Sequence, residues 1–376
     1  MENYRQLPKV CIFGLISKHP GRNWGGTAMS IRRLANFFAG NGCHVDILTR
    51  ELGKGHFLPA SLADGIVIRP IRASNKALLF LALCGYVLKE RPAVLLALDT
   101  RASLIASWVS LVPRRRTRIW ASFRSELNAD QAKVLRRIAR RVDGVIAIAQ
   151  SMAEEFRRLS GIPGERLHVI HNLAVSPDLA EHANASIEHP WLNGDAYPVI
   201  CCVARLVPGK GLQYLIEAFA VVKRQHPNAR LIIIGQGPLL ETLRELAASL
   251  NMRDSIDFAG FQKNPWAFMA RADLYCHPSL FEAFGNTLAE ALSLGVPVVA
   301  TDCPYGPAEI LDHGRYGRLV PPADSRALAE AILATLRSPL PREKLVEGSQ
   351  RFREEVAGRR YLETLGLERP AKAPAP

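Results

Sequence analysis

At 376 residues the chain is long for one domain and sufficient for two, each able to bury its own core. Hydrophobic residues make up 48% and charged residues 22%, which excludes a disordered or low-complexity protein and leaves an ordinary globular one. The formal charge of +13 is uneven: residues 1–175 hold 27 Lys and Arg against 12 Asp and Glu, while residues 176–376 hold 21 against 23.

The N-terminal MENYRQLPKVCIFGLI has too short an apolar run and no small-residue cleavage pattern for a secretion signal. Lys9 to Ile16 therefore reads as a first strand, and a cytoplasmic protein is expected. A loop follows, SKHPGRNWGGTAMS, whose Gly25-Gly26 pair stands at the entrance of a helix from about Ala28 to Ala39. Glycines in a first strand-to-helix turn let backbone approach an anion closely; alone, the pair is only a turn. Short β-rich runs at His44 to Thr49, Gly65 to Arg69, Ala93 to Leu98, Arg118 to Ser122 and Gly144 to Ala149 alternate with helical patterns, which predicts a parallel, doubly wound α/β sheet. Residues 77–112 are strongly apolar, but Lys89, Glu90, Arg91, Pro92, Asp99 and Arg101 cut them below the roughly 18 residues of a membrane span. Asp99 either faces the strand-end crevice or caps the next helix.

Two clusters carry much of the positive charge. The first is Arg114, Arg115, Arg116 and Arg118; the second is Lys133, Arg136, Arg137, Arg140 and Arg141, at helical spacing with Val134, Leu135, Ile138 and Ala139 between them. The second reads as a basic amphipathic helix able to lie on an anionic leaflet, with a merely solvated basic face as the rival reading. No nucleic-acid module accompanies the charge and aromatic residues are sparse around it, so an anionic membrane surface is the expected partner and nucleic acid is not. The seven cysteines form no C-x-x-C pair, and several lie in apolar runs as small core residues of a reducing compartment.

Gln150-Ser151 reads as the cap of the next helix, and a strand from Arg166 to His171 ends at Asn172. Residues 176–197, broken by Pro177 and Pro190 and without period, read as a linker between a first domain, 1–175, and a second, 198–350. The second opens with a strand from Val199 to Ala204 that runs into Arg205-Leu-Val-Pro-Gly-Lys210-Gly211. Two cations within six residues at a strand's C-terminal end suit a diphosphate. A helix to about Gln225 and a strand from Arg230 to Ile234 lead to Gly235-Gln-Gly237, a Gly-rich turn lacking the third Gly of a dinucleotide fingerprint.

The stretch YCHPSLFEAFGNTLAEALSLGVPVVATDCPYGPAEI, from Tyr275 to Ile310, concentrates the chemistry. A buried strand ends at Tyr275-Cys276, His277-Pro278-Ser279 breaks it, and a helix runs from about Gly285 to Leu294. Gly285, Asn286 and Thr287 sit at the first turn of that helix, where free N–H groups and the positive dipole end suit a phosphate. Glu282 in the turn and Glu290 in the helix cannot hold phosphate; they suit the neutral hydroxyls of a sugar. Further on, helices are expected from Ser325 to Leu336 and from Phe352 to Leu365, before a Pro/Ala tail at 368–376 that reads as disordered.

These segments resemble the retaining glycosyltransferases of family 4, whose E-x7-E pattern matches Glu282 and Glu290. The resemblance extends through VARLVPGKGLQYLIEAF, GQGPL, FAGFQKNPW, CPYGPAEIL and GRYGRLVPPAD, covering the C-terminal half well and the N-terminal half loosely. It implies the GT-B fold, two Rossmann-like domains facing across a cleft, with the last helix, within 351–367, crossing back to the first. It implies that Arg205 and Lys210 hold the donor's phosphates and that Glu290 contacts the ribose. Glu282 would then contact the transferred sugar, with Gly235, Gly237, Phe284, Gly285, Asn286 and Thr287 lining the nucleotide. Gly25 and Gly26 match a loop near acceptor and phosphates. Two departures stand out: Ala283 replaces the usual Gly after the first Glu, and the His that often touches the donor sugar is missing near Phe123, leaving Arg124 or Glu126 as candidate sugar contacts. Ile256 to Phe261 and Trp266 match a segment that packs against the base, or else serve the core.

The resemblance implies a nucleotide-sugar donor, UDP-linked, as substrate and a saccharide or polyprenyl-linked acceptor in cell-surface polysaccharide synthesis, at the inner face of the plasma membrane. No D-x-D occurs, so no cofactor and no metal are expected, and no residue stands out as a covalent nucleophile. A nucleotide-sugar 2-epimerase of the same fold and a non-catalytic sugar-nucleotide-binding protein are the alternatives.

Overall fold

Short apolar runs that are buried on both faces must lie in parallel sheets covered by helices on either side. In the computed structural model, residues 7–14, 26–50, 62–73, 75–113, 115–192 and 198–368 are described. The chain divides into two units, Met1–Leu173 with Glu354–Pro376, and Ala174–Arg353.

The first unit's sheet holds β1 (Lys9–Phe13), β2 (His44–Arg50), β3 (Ile66–Ile71), β4 (Val94–Ala97), β5 (Arg118–Phe123), β6 (Gly144–Ala147) and β7 (Leu167–Val169). All pair in parallel, in the order β3-β2-β1-β4-β5-β6-β7, so the winding reverses between β1 and β4. Asp99 resolves as a helix cap, its carboxylate accepting from Ala102 N at 2.8 Å. The helix Gln150–Ser160, in contrast, has Ala149 at its N-cap and no side-chain cap bond, so the capping expected of Gln150-Ser151 is not made. The C-terminal helix Glu354–Thr364 packs on Gly26–Gly40. Gly358 lies under the Phe37 ring, and Tyr361 meets Phe38 edge to face at 6.3 Å.

The helix formed by the second basic cluster, Ala132–Ala139, turns Leu135, Ile138 and Ala139 into its own unit's core while Lys133, Arg136 and Arg137 stay exposed. Its apolar face is thus occupied, so of the features expected to lie on an anionic leaflet only the exposed cations remain available. Of the first cluster, Arg114 lies outside the described residues, and Arg115 bonds the Ser110 and Thr117 carbonyls and pairs with Asp143 at 3.2 Å.

The second unit carries β8 (Val199–Val203), β9 (Arg230–Ile234), β10 (Ile256–Gly260), β11 (Leu274–His277), β12 (Val298–Thr301) and β13 (Arg318–Val320), again parallel, in the order β10-β9-β8-β11-β12-β13. Its order reverses between β8 and β11. The stretch expected as a linker is part of this unit. Val175 pairs with Arg353, and the helix Leu179–Asn184 lies on Pro265–Met269, where His182 stacks on Trp266 at 5.4 Å. Arg271 donates to the carbonyls of Ala183 and Ala185, and Leu192 joins Ile232 and Phe268 in a small core. A six-residue helix followed by extended chain has no period to detect, which is why it read as a linker.

Candidate functional site

A parallel sheet leaves a crevice outside its strand ends where the winding reverses. The register Leu274↔Ile200 and Tyr275↔Cys201 brings Val203 and His277, the last residues of β8 and β11, out side by side at that point of the second unit. From β8 the chain passes Arg205 and a single 3-10 turn, Pro208–Lys210, before the helix Leu212–Gln225. This loop is laced to the turn after β9: Leu206 N donates to Gln236 O at 3.1 Å, and Leu239 N to Leu206 O at 3.1 Å. Gly235 makes the lacing possible, since at φ +143° a Cβ there would sit 1.8 Å from Ala204 O. Gly235 and Gly237 therefore act by admitting the neighbouring backbone.

The turn after β11 is held as closely. Leu280 N donates to Gly209 O at 3.0 Å. At the end of β12, Thr301 Oγ1 donates to the carbonyls of Ser279 and His277. Tyr275, fully buried, donates its hydroxyl to Thr287 Oγ1 at 2.7 Å and so ties the strand to the helix Asn286–Ser293. The chain enters that helix through Gly285 at φ +106°, with no side-chain cap bond at its N-terminus.

Within this frame Lys210 Nζ bonds Glu282 Oε1, and Ser279 Oγ donates to the same oxygen at 3.0 Å. His277 Nε2 stands 2.9 Å from it, at ion-pair distance but out of line for a hydrogen bond. Burial pushes the Glu282 carboxyl up, but the adjacent imidazole and ammonium pull it further down, and the net result lies well below the usual carboxylate range. Glu282 is therefore a fixed negative charge with one oxygen held, and Oε2 has no hydrogen bond or ion pair with the described residues. The Arg205 side chain is exposed and makes no hydrogen bond or ion pair with described residues, while Glu290, in the second turn of its helix, is buried.

The other expected residues scatter. Phe284 is 2% exposed and meets Phe352 edge to face, so its ring belongs to the core and only its backbone can line the turn. In the first unit, Arg124 bonds Asn172 Oδ1 and, at 2.8 Å, the Tyr361 hydroxyl, so its terminal nitrogens tie the C-terminal helix to the sheet; Glu126 is exposed. Gly26 begins a helix, and Gly25 lies outside the described residues. His277, Ser279, Thr301 and Tyr275 were missed by the sequence reading, where His277-Pro278-Ser279 was only a strand breaker. A histidine between a buried strand and a proline, five residues before the first Glu, was the available signal. Among the described residues no group of three or more His, Cys, Asp or Glu is placed to hold a metal ion.

Among the described residues the arrangement offers a cation whose side chain is unpaired, a cation paired to a fixed carboxylate, and a helix N-terminus without a side-chain cap bond, all at one switch point. Residues 24–174 match the model of Glycosyltransferase Family 4, and residues 186–352 match Glycosyl transferases group 1. The chain is 34% identical to an exopolysaccharide phosphotransferase of Streptomyces coelicolor over 71% of this chain and 28% of that one. It is 30% identical to the lipopolysaccharide core biosynthesis glycosyltransferase LpsD of Rhizobium meliloti over 59% and 63%. The chain thus spans less than two thirds of these relatives' own length. The Anabaena HepE protein, solved in complex with UDP, superposes with a TM-score of 0.75 over 95% of this chain and 99% of that one at 22% identity. With both halves matched and the fold shared along its length, the chain belongs to the GT-B glycosyltransferases of family 4.

Proposed function

We propose that the protein is a retaining glycosyltransferase, moving a hexose or N-acetylhexosamine from a UDP-sugar to a saccharide or lipid-linked saccharide in cell-surface polysaccharide synthesis. The observation that carries this reading is the switch-point cluster of Arg205, the Lys210–Glu282 pair and the helix terminus at Asn286. The cations and the N-terminal N–H groups meet the charge that develops on a departing diphosphate. Glu282, kept ionised, faces the positive charge that develops on the sugar as its bond to phosphate breaks. Glu290 holds the ribose, and no side chain acts as covalent nucleophile. Retention then follows if the departing phosphate oxygen takes the acceptor's proton on the face it leaves. UDP is favoured because it occupies the Anabaena structure of the same fold.

Thermal unfolding with UDP-, GDP- and ADP-sugars tests the reading, because a ligand at a hundred times its dissociation constant adds about 2.7 kcal/mol. Stabilisation by UDP-sugars is expected. Stabilisation by GDP- or ADP-sugars alone would refute the base, and none at all would refute the donor site; the anomeric configuration of the product tests retention.

A further inference from the structure

The helix Lys76–Glu90 of the first unit is apolar on two faces. Leu79, Leu83 and Val87, four residues apart, point into the unit, where they are almost fully buried. Leu78, Leu81, Ala82, Gly85 and Leu88 recur at the complementary helical spacing, and Leu78 is 47%, Leu81 61% and Leu88 50% exposed. A helix that is hydrophobic all round is ordinarily buried, and a contiguous row of exposed leucines marks a contact surface.

The surrounding charge says what the contact is. Lys76 opens the helix, Lys89 and Arg91 close it, and Arg101 begins the neighbouring helix Thr100–Val109; all four are exposed and make no salt bridge with described residues. The two carboxylates of this stretch are already engaged, Glu90 with Lys9 and Arg69, and Asp99 in capping. A second copy of the chain docking here would set these cations against their own kind. An anionic bilayer instead accepts leucines below the headgroups and lysine and arginine heads among them.

We propose that the outward face of Lys76–Glu90 is an interfacial helix that seats the first unit on an anionic lipid surface. It lies on the surface without crossing it: no helix among the described residues is long and apolar enough to span a membrane. This goes beyond the sugar-transfer reading and does not depend on it. It also differs from the helix Ala132–Ala139, whose apolar side is buried.

The test is co-sedimentation of the full chain with phosphatidylglycerol-containing and pure phosphatidylcholine vesicles at low and high salt. The wild type is expected to sediment with the anionic vesicles only, and less at high salt. Leu81→Ser/Leu88→Ser, and separately Lys76→Glu/Lys89→Glu, should each lower the partition coefficient at least tenfold with unfolding temperature unchanged. Absence of wild-type sedimentation, wild-type-like sedimentation of the serine variant, or a wild-type dimer that this variant dissolves would each overturn the proposal. Calorimetric titration with UDP on the same samples reports the donor site separately, so its failure leaves vesicle binding readable.

Discussion

Arg205 and Lys210 are both cations in the loop after β8, yet they are held differently, and substitution should separate them. Arg205 is exposed and unpaired among the described residues, so Arg205→Ala should leave stability within about 0.5 kcal/mol while lowering kcat/KM at least tenfold. Lys210→Ala should cost catalysis and, in addition, about 1–3 kcal/mol of stability, because it leaves Glu282 in a largely buried place without its ammonium. Equal stabilities, or near-normal kinetics in both, would remove the distinction. For the two glutamates, Glu282→Gln should keep UDP affinity, since Lys210 is then freed for phosphate, and lower kcat by about two orders of magnitude. Glu290→Gln should chiefly weaken UDP in calorimetric titration; similar UDP losses in both variants would show the roles to be misassigned. The depressed Glu282 carboxyl also makes a pH statement. A group whose folded pKa is lowered contributes stability that is present above its ordinary value of 4.5 and lost as pH falls below it toward the depressed one. The difference in unfolding midpoint between wild type and Glu282→Gln should be constant from pH 7 to about 5 and shrink below that. A difference that grows on acidification would contradict the ionised, paired state.

The loops that carry these residues are elements in their own right, positioned by backbone contacts. Gly235→Ala tests this, because its Cβ would collide with Ala204 O in a backbone region few side chains adopt. The expected result is a loss of more than about 1 kcal/mol in denaturant unfolding, together with weakened UDP binding through displacement of Arg205. Unchanged binding would mean that the lacing does not position the cation. At this scale the sequence was readable where periodicity is strong: Arg230–Ile234 and the start of Ser325–Arg337 fall where the pattern places them. It was unreadable where elements are short or doubly apolar. The helix Leu179–Asn184 was hidden in the expected linker, and the basic helix Ala132–Ala139 announced an amphipathic face that the fold uses for its own core.

For the molecule as a whole, the proposed reading predicts that sugar transfer survives EDTA, with Arg205, Lys210 and the helix terminus as the proposed countercharge for the diphosphate. Activity lost in EDTA and restored only by Mg²⁺ or Mn²⁺ would refute that division of labour. By itself the sequence determined the alternation of strands and helices, hence two parallel sheets, because hydrophobic period and turn residues are local properties. It also determined that Arg205, Lys210 and Glu282 lie in loops at strand ends and Glu290 in the helix that follows, because such motifs are local too. Only the tertiary structure decided the pairings. Lys210 and Glu282 stand 72 residues apart and meet because β8 and β11 are neighbours in the sheet. Arg124 meets Tyr361 across 237 residues and becomes a structural tie. Which apolar face of Lys76–Glu90 is buried and which is left to solvent was likewise settled by packing, since both faces are apolar and leucine-bearing.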